Sequence, residues 1–289
     1  MISLVVRRLL WGIPVLWLIL TLTFFLLRAA PGGPFDQERV LSPQVEQLIQ
    51  AKYRLDLSLP QQYLNYLTDV ARGDLGPSFQ YADYSVNQLI GLGLPVSVQL
   101  GFYALLLALI VGVTLGMIAA VWANRWPDLV AMLVAVIGIS TPNFVIAPLL
   151  ILWLAVQAGW LPVGGWSGGQ WSHLVLPVFT LSLPFIAAVA RISRSALLDV
   201  LGQPFMQTAR AKGLSAGQAL FRHGLRPALL PVVSFLWPAA VGLMTGSVVI
   251  EQIFGLPGMG RYFVQGALNR DYTLVLGVVL VIGVMMLLF

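Results

Sequence analysis

The sequence predicts an all-α membrane protein with six transmembrane helices, and three observations predict it. Of 289 residues, 58% are hydrophobic and 9% charged, with a mean hydropathy of +0.87. That is more apolar surface than a soluble domain of this size can bury. Six apolar runs recur along the chain, at 9–27, 96–123, 129–156, 174–190, 228–250 and 274–289. The Lys and Arg residues fall between the runs, where they set topology.

Composition also excludes several classes of function. The formal charge of +5 comes from 16 Lys and Arg that are scattered rather than massed on one face, so no nucleic-acid partner is expected. There is no cysteine, which removes disulfides and thiolate metal sites. The two histidines, His173 and His223, fall in segments on opposite sides of the bilayer, so no metal site is expected.

The first run follows Arg7 and Arg8, so a secretory signal peptide competes with a spanning helix. Its 19 residues favour the helix, because at ~1.5 Å per residue they match a hydrocarbon layer of ~30 Å. Residues 1–30 are therefore read as the N-terminal span. Residues 31–94 have a soluble composition, with helical stretches expected at 43–53 and 61–72. They form a small external (periplasmic) domain, either a plain connector or a docking surface or lid.

Residues 95–289 carry the other five spans. Pro142, Pro148, Pro177, Pro184, Pro231 and Pro238 are expected to interrupt three of them. Gly112 with Gly116, and Gly242 with Gly246, have the small-xxx-small spacing of closely packed helices. No ionisable residue lies between the ends of the runs, which argues against proton relays and ion coupling. The last run, 16 residues long, stops short of a full span with no polar flank, so the natural chain is expected to continue. An even number of spans puts both termini on one side. That side holds nine of the 16 cations against two of the 11 acids, so both termini are expected in the cytoplasm.

A cytoplasmic loop at 191–227 is too long for a simple turn. Pro204 can start a helix at Phe205, a helix-forming run follows, Gly213 is a natural stop, and a second helix begins near Ser215. Ala209 and Ala211 keep the element thin, while Arg210 and Lys212 offer cationic heads. The residues alone leave two readings open, an interfacial helix or a docking element for a partner. Ser140, Thr141, Asn143, Ser234, Thr245 and Ser247 either line a pathway or make hydrogen bonds within and between helices. Glu251 either caps or ion-pairs at the membrane interface or contacts a substrate terminus. Gly255, Pro257, Gly258 and Gly260 after it form a tight external turn, read as a gate support.

The string TARAKG followed by RHGLRPALLP resembles the coupling loop of ABC-importer permeases, in the form used by the peptide and nickel branch. Gly213 takes the place of the loop glycine and Ala209 that of the second alanine. Thr208 and Gln207 stand where other branches carry alanine and glutamate, so an acidic contact cannot be carried over to Gln207. LLRAAPGGPF near the start, RGDLGPSFQYADYSVNQLI in the external segment and TGSVVIEQIFGLPGMGRYFVQGALNRDYTLVLG near the end resemble the oligopeptide-permease B-type subunits. Residues 76–90 separate these best from dipeptide and nickel relatives. Family members carry a short tail after the sixth span that this sequence lacks.

The resemblance implies the type I importer fold and a heterodimer with a second, homologous permease subunit. It also implies two cytoplasmic ATPases that bind ATP and Mg, an external peptide-binding protein and a peptide cargo. Coupling to the ATPase would run through Gln207, Thr208, Ala209, Arg210, Ala211, Lys212 and Gly213. The sequence has no G-x-x-x-x-G-K-[ST] phosphate loop, so this chain binds no nucleotide of its own by that motif. An intramembrane enzyme or an ion-coupled transporter would need reactive or charged groups at membrane depth. Neither H-E-x-x-H nor G-x-S-x-G occurs.

Overall fold

Helices make up the regular structure of the chain in a computed structural model that describes residues 2–30, 32–33, 35, 43–245 and 248–288. The one β-bridge recorded among them joins Pro77 and Ser85. Two compact units form, one from residues 1–96 and 257–289, the other from 97–256.

In the first unit, α1 (Ile2–Ala29) carries the first apolar run. The polar segment after it forms α2 (Pro43–Lys52) and α3 (Leu59–Ala71). Ser58 starts α3 with a capping box, its N–H donating to Gln61 Oε1 at 3.3 Å. α13 (Met259–Leu268) and α14 (Tyr272–Leu288) complete the unit with the opening turns of α4 (Val86–Val121). Its core has two parts. Leu20 and Phe24 of α1 meet Tyr66 of α3 and Leu276 of α14, and Leu75, Val86, Leu89 and Ile90 meet Met259, Leu274 and Val278. Glycine lets α1 and α14 approach closely: a Cβ at Gly12 would lie 2.7 Å from Leu287, and one at Gly283 would lie 2.7 Å from Leu16.

Asp271 ties the polar segment to α14. It is fully buried. One carboxylate oxygen accepts the Ser78 hydroxyl, the Phe79 N–H at 3.0 Å and the Gln80 N–H at 3.2 Å. The other accepts the Thr273 hydroxyl and the Leu274 N–H, each at 3.1 Å, which caps α14.

The second unit holds the rest of α4, then α5 (Trp126–Ser140), α6 (Asn143–Leu150), α7 (Trp171–Leu201) and α8 (Pro204–Ala211). α9 (Ala216–Ala219), α10 (Leu225–Ala228), α11 (Leu230–Met244) and α12 (Val248–Ile253) follow. Gly112 and Gly116 seat α4 on α7 as their spacing predicts. Added Cβ atoms there would come within 2.7 Å of Val189 Cβ and 2.6 Å of the Ala190 carbonyl. Gly242 has open space around it, so it makes no such contact, and Gly246 lies outside the described residues.

Among the described residues, four helices are long and apolar enough to cross a bilayer: Leu10–Ala29, Val86–Val121, Trp171–Leu201 and Leu230–Ile253. The third apolar run is not one straight span but a pair, Trp126–Ser140 and Asn143–Gln157, bent by 103°. Pro142 causes the break. It forces Thr141 into an extended conformation (φ −92°, ψ 120°), which ends α5 and restarts the helix at Asn143. The other internal prolines do not stop their helices. Pro177 and Pro184 sit inside an unbroken α7, where the hydroxyls of Thr180 and Ser182 bond the carbonyls of Leu176 and Phe179. The sixth run forms α14, an apolar helix of 17 residues, shorter than the other spans.

Removing the Asp271 carboxylate orphans several buried donors at once. Asp271→Ala is expected to lower stability by about 3 kcal/mol, and Asp271→Asn by less, as read from the thermal unfolding midpoint of the detergent-solubilised protein.

Candidate functional site

The loop between α7 and α11 presents α8 as a two-faced helix. Pro204 occupies its first turn, where the missing N–H removes no bond. Gly213, at φ +89°, turns the chain after Lys212, with its N–H bonding the Arg210 carbonyl at 2.9 Å and the Leu214 N–H bonding the Ala209 carbonyl at 3.3 Å. Ser215 then caps α9 through a reciprocal pair with Gln218. These boundaries are the ones the sequence predicts.

The two faces differ in burial. Met206 and Ala209, one turn apart, are buried against Ala219, with Val200, Leu201 and Leu214 around them. Ala209 thus helps to anchor α8 on its own chain. Gln207, Thr208, Arg210, Ala211, Lys212 and Gly213 are exposed. So is Phe205, at 45%, an aromatic the loop motif does not single out.

An ion pair lies beside this loop. Arg194, in the last turns of α7, donates from Nε and Nη2 to the two oxygens of Asp128 in the first turn of α5, each at 2.6 Å. The Asn124 N–H adds a third bond to Asp128 at 2.8 Å. The fork fixes the near ends of α5 and α7 to one another. Sequence reasoning counted these two residues only as topology signals. Opposite charges at matching ends of the third and fourth runs were the available clue.

Glu251 is wholly buried in α12. The helix continues three residues past the apolar run and turns the side chain inward, where it accepts the Ser97 hydroxyl of α4 at 2.7 Å. After it, Gly255 (φ +65°) turns the chain, and the Leu256 N–H bonds the Glu251 carbonyl at 2.8 Å. The boundary between the units falls between Leu256 and Pro257. Gly258 is the extended residue before α13, and Gly260 is buried in the first turn of that helix.

Of the six polar candidates, three gather at the α5–α6 bend: Ser140, Thr141 and Asn143, whose Oδ1 is buried with no partner among the described residues. Ser234 and Thr245 donate to carbonyls one turn back, Leu230 at 3.0 Å and Val241 at 2.9 Å, so their hydroxyls are satisfied within their own helix. Ser247 lies outside the described residues.

Comparison with known proteins follows the same layout. Residues 112–289 match the family model described as binding-protein-dependent transport system inner membrane component. Residues 1–85 match the model for the N-terminal part of such membrane components. The chain is 50% identical over 284 residues to the oligopeptide transport system permease protein OppB of Salmonella typhimurium, covering 98% of this chain and 92% of that one. It is 43% identical over 259 residues to the dipeptide transport system permease protein DppB of Bacillus subtilis, covering 90% and 83%. Among solved structures, an amino acid ABC transporter crystallised with histidines aligns with a TM-score of 0.54 at 20% identity, over 70% of this chain and 89% of that one.

The fork between α5 and α7 is directly testable. Asp128→Ala is expected to cost about 2 kcal/mol of stability, and the exchanged pair Asp128→Arg with Arg194→Asp to recover part of it, both measured by thermal unfolding in detergent.

Proposed function

Because the chain belongs to the family of binding-protein-dependent transport system inner membrane components, we propose that it is the membrane-spanning permease subunit of an ATP-driven oligopeptide importer. A second, homologous permease subunit completes the translocation pathway. Two cytoplasmic ATPases bind ATP and Mg, and an external binding protein delivers the peptide. Both termini lie in the cytoplasm, in keeping with the nine cations on that side, and residues 31–94 form the external domain.

The observation that carries this reading is the construction of α8. A helix held by Met206 and Ala209 on one face and exposed on the other is a handle, able to receive force without unfolding. In the proposed cycle, ATP draws the two ATPases together and α8 moves with the ATPase that grips it. The anchored face passes that displacement to α7 and α11, shifting the pathway between inward-open and outward-open packings. Arg210 and Lys212 supply the charged contacts, and Gln207 supplies a neutral polar one. The Asp128–Arg194 fork keeps α5 in step with α7.

The cargo assignment is supported by the 50% identity to an oligopeptide permease along nearly the whole chain. The 43% identity to a dipeptide permease keeps dipeptides as the second reading. Uptake of labelled peptides of two to six residues by proteoliposomes holding the full complex separates them. Uptake confined to dipeptides reassigns the cargo.

Reversing both charges, Arg210→Glu with Lys212→Glu, is expected to reduce peptide uptake more than about tenfold while the chain stays inserted and ATP is still hydrolysed. Normal uptake by that double variant removes these side chains from the contact.

A further inference from the structure

The first unit contains a cavity of about 270 Å³ between the end of α1, α2, α3 and the segment that follows α3. Nothing in the transport reading uses it.

Its wall is built around Arg28. The guanidinium stacks over the Phe24 ring, 3.6 Å from the centroid, with the Tyr272 ring 5.3 Å away. Its Nε donates to Gln62 Oε1 at 3.1 Å. Gln62 is itself fixed, because its amide nitrogen donates to the carbonyls of Leu55 at 3.1 Å and Leu57 at 2.8 Å. Three constraints thus orient the guanidinium, yet Nη1 is buried with no partner among the described residues. Tyr66, 8% exposed and lining the same cavity, also has a buried hydroxyl with no partner. Burial pushes the Tyr66 phenol well above its usual value, with Arg28 pulling the other way, so the group stays a protonated donor.

Two residues of one cavity wall that each carry a buried, unsatisfied donor call for a ligand made of acceptors. The charges around them agree. Lys52 and Arg54 add two further cations to the wall, and each of its two acids has a partner within the wall: Asp69 pairs with Arg54 at 3.3 Å and Asp74 accepts the Gly76 N–H at 2.9 Å. Position narrows the class. Arg28 lies in the last turn of a helix whose span runs Leu10–Ala29, at the level where hydrocarbon gives way to head groups. Leu18, Leu22 and Phe25, at helical spacing on α1, are 51%, 54% and 45% exposed and offer an apolar track toward that end.

We propose that this cavity is a binding site for the phosphate group of a membrane phospholipid, held by Arg28 and Tyr66 with its acyl chains along α1. The guanidinium gives the phosphate a charge-assisted bond and the phenol a second donor, a pairing that fits a tetrahedral oxyanion.

The test uses the whole chain in its complex, stripped of lipid in neutral detergent. Phosphatidylglycerol, diacylglycerol, inorganic phosphate and glycerol 3-phosphate are titrated separately against the thermal unfolding midpoint. Phosphatidylglycerol is expected to raise the midpoint saturably and diacylglycerol to leave it unchanged. Arg28→Gln is expected to abolish the rise. Tyr66→Phe, which keeps the ring and its packing, is expected to weaken apparent affinity about tenfold. A rise with inorganic phosphate or glycerol 3-phosphate equal to that with lipid keeps the phosphate site and assigns it to a soluble ligand. The proposal is overturned if Tyr66→Phe binds phosphatidylglycerol as the unaltered protein does, or if diacylglycerol acts as strongly as phosphatidylglycerol. Neither outcome depends on the peptide cargo.

Discussion

Hydrocarbon supplies no hydrogen bonds, so a chain that crosses it has to satisfy its polar atoms from within. The Ser97–Glu251 contact shows the rule at its most demanding, since a carboxylate with no exposure is retained only where donors meet it. Asp271 shows the same rule in the first unit, where one side chain receives donors from the 78–80 segment and from the start of α14. Asp128 and Arg194 apply it to a full ion pair. Each contact also joins elements far apart in sequence, so the atoms that had to be satisfied are the ones that hold the helices in register.

The loop carrying α8 obeys a different constraint. A short helix of eight residues is marginal on its own. It persists here because its ends are closed by Pro204 and Gly213 and because Met206 finds a fully buried seat. Exposure of the opposite face is then compatible with order. That combination is what the proposed docking role of α8 requires.

Much of this was legible in the sequence, and the remainder has identifiable causes. Apolar runs locate the spans because hydrocarbon thickness fixes their length, and Pro204, Gly213 and Ser215 locate α8 because each residue acts through its own backbone. Side-chain direction is harder to read. Ala209 is read from the sequence as one of two small residues that keep the element thin, and it is buried on the inner face, since only the packed structure sets which stripe of an eight-residue helix points inward. Prolines misled by number. Of six, Pro142 breaks a span by following a residue free to become extended and Pro231 stands in the first turn of α11 just past the break at Leu229, whereas Pro177 and Pro184 remain inside a helix supported by neighbouring hydroxyls. The burial of Glu251 and the Arg28–Tyr66 cavity are not legible in the sequence because burial is a property of distant contacts, and no local pattern announces it.

The unbroken course of α7 has a mechanical consequence. Its 31 residues form a rod of about 45 Å at ~1.5 Å rise per residue. Pivoting such a rod by about 5° about one end sweeps the other by about 4 Å, close to the spacing of neighbouring side chains on a helix. The glycine seats from α4 and the fork from α5 grip it along its length. A tilt too small to break any of those grips is therefore geared up into a displacement of molecular size at the opposite face of the bilayer.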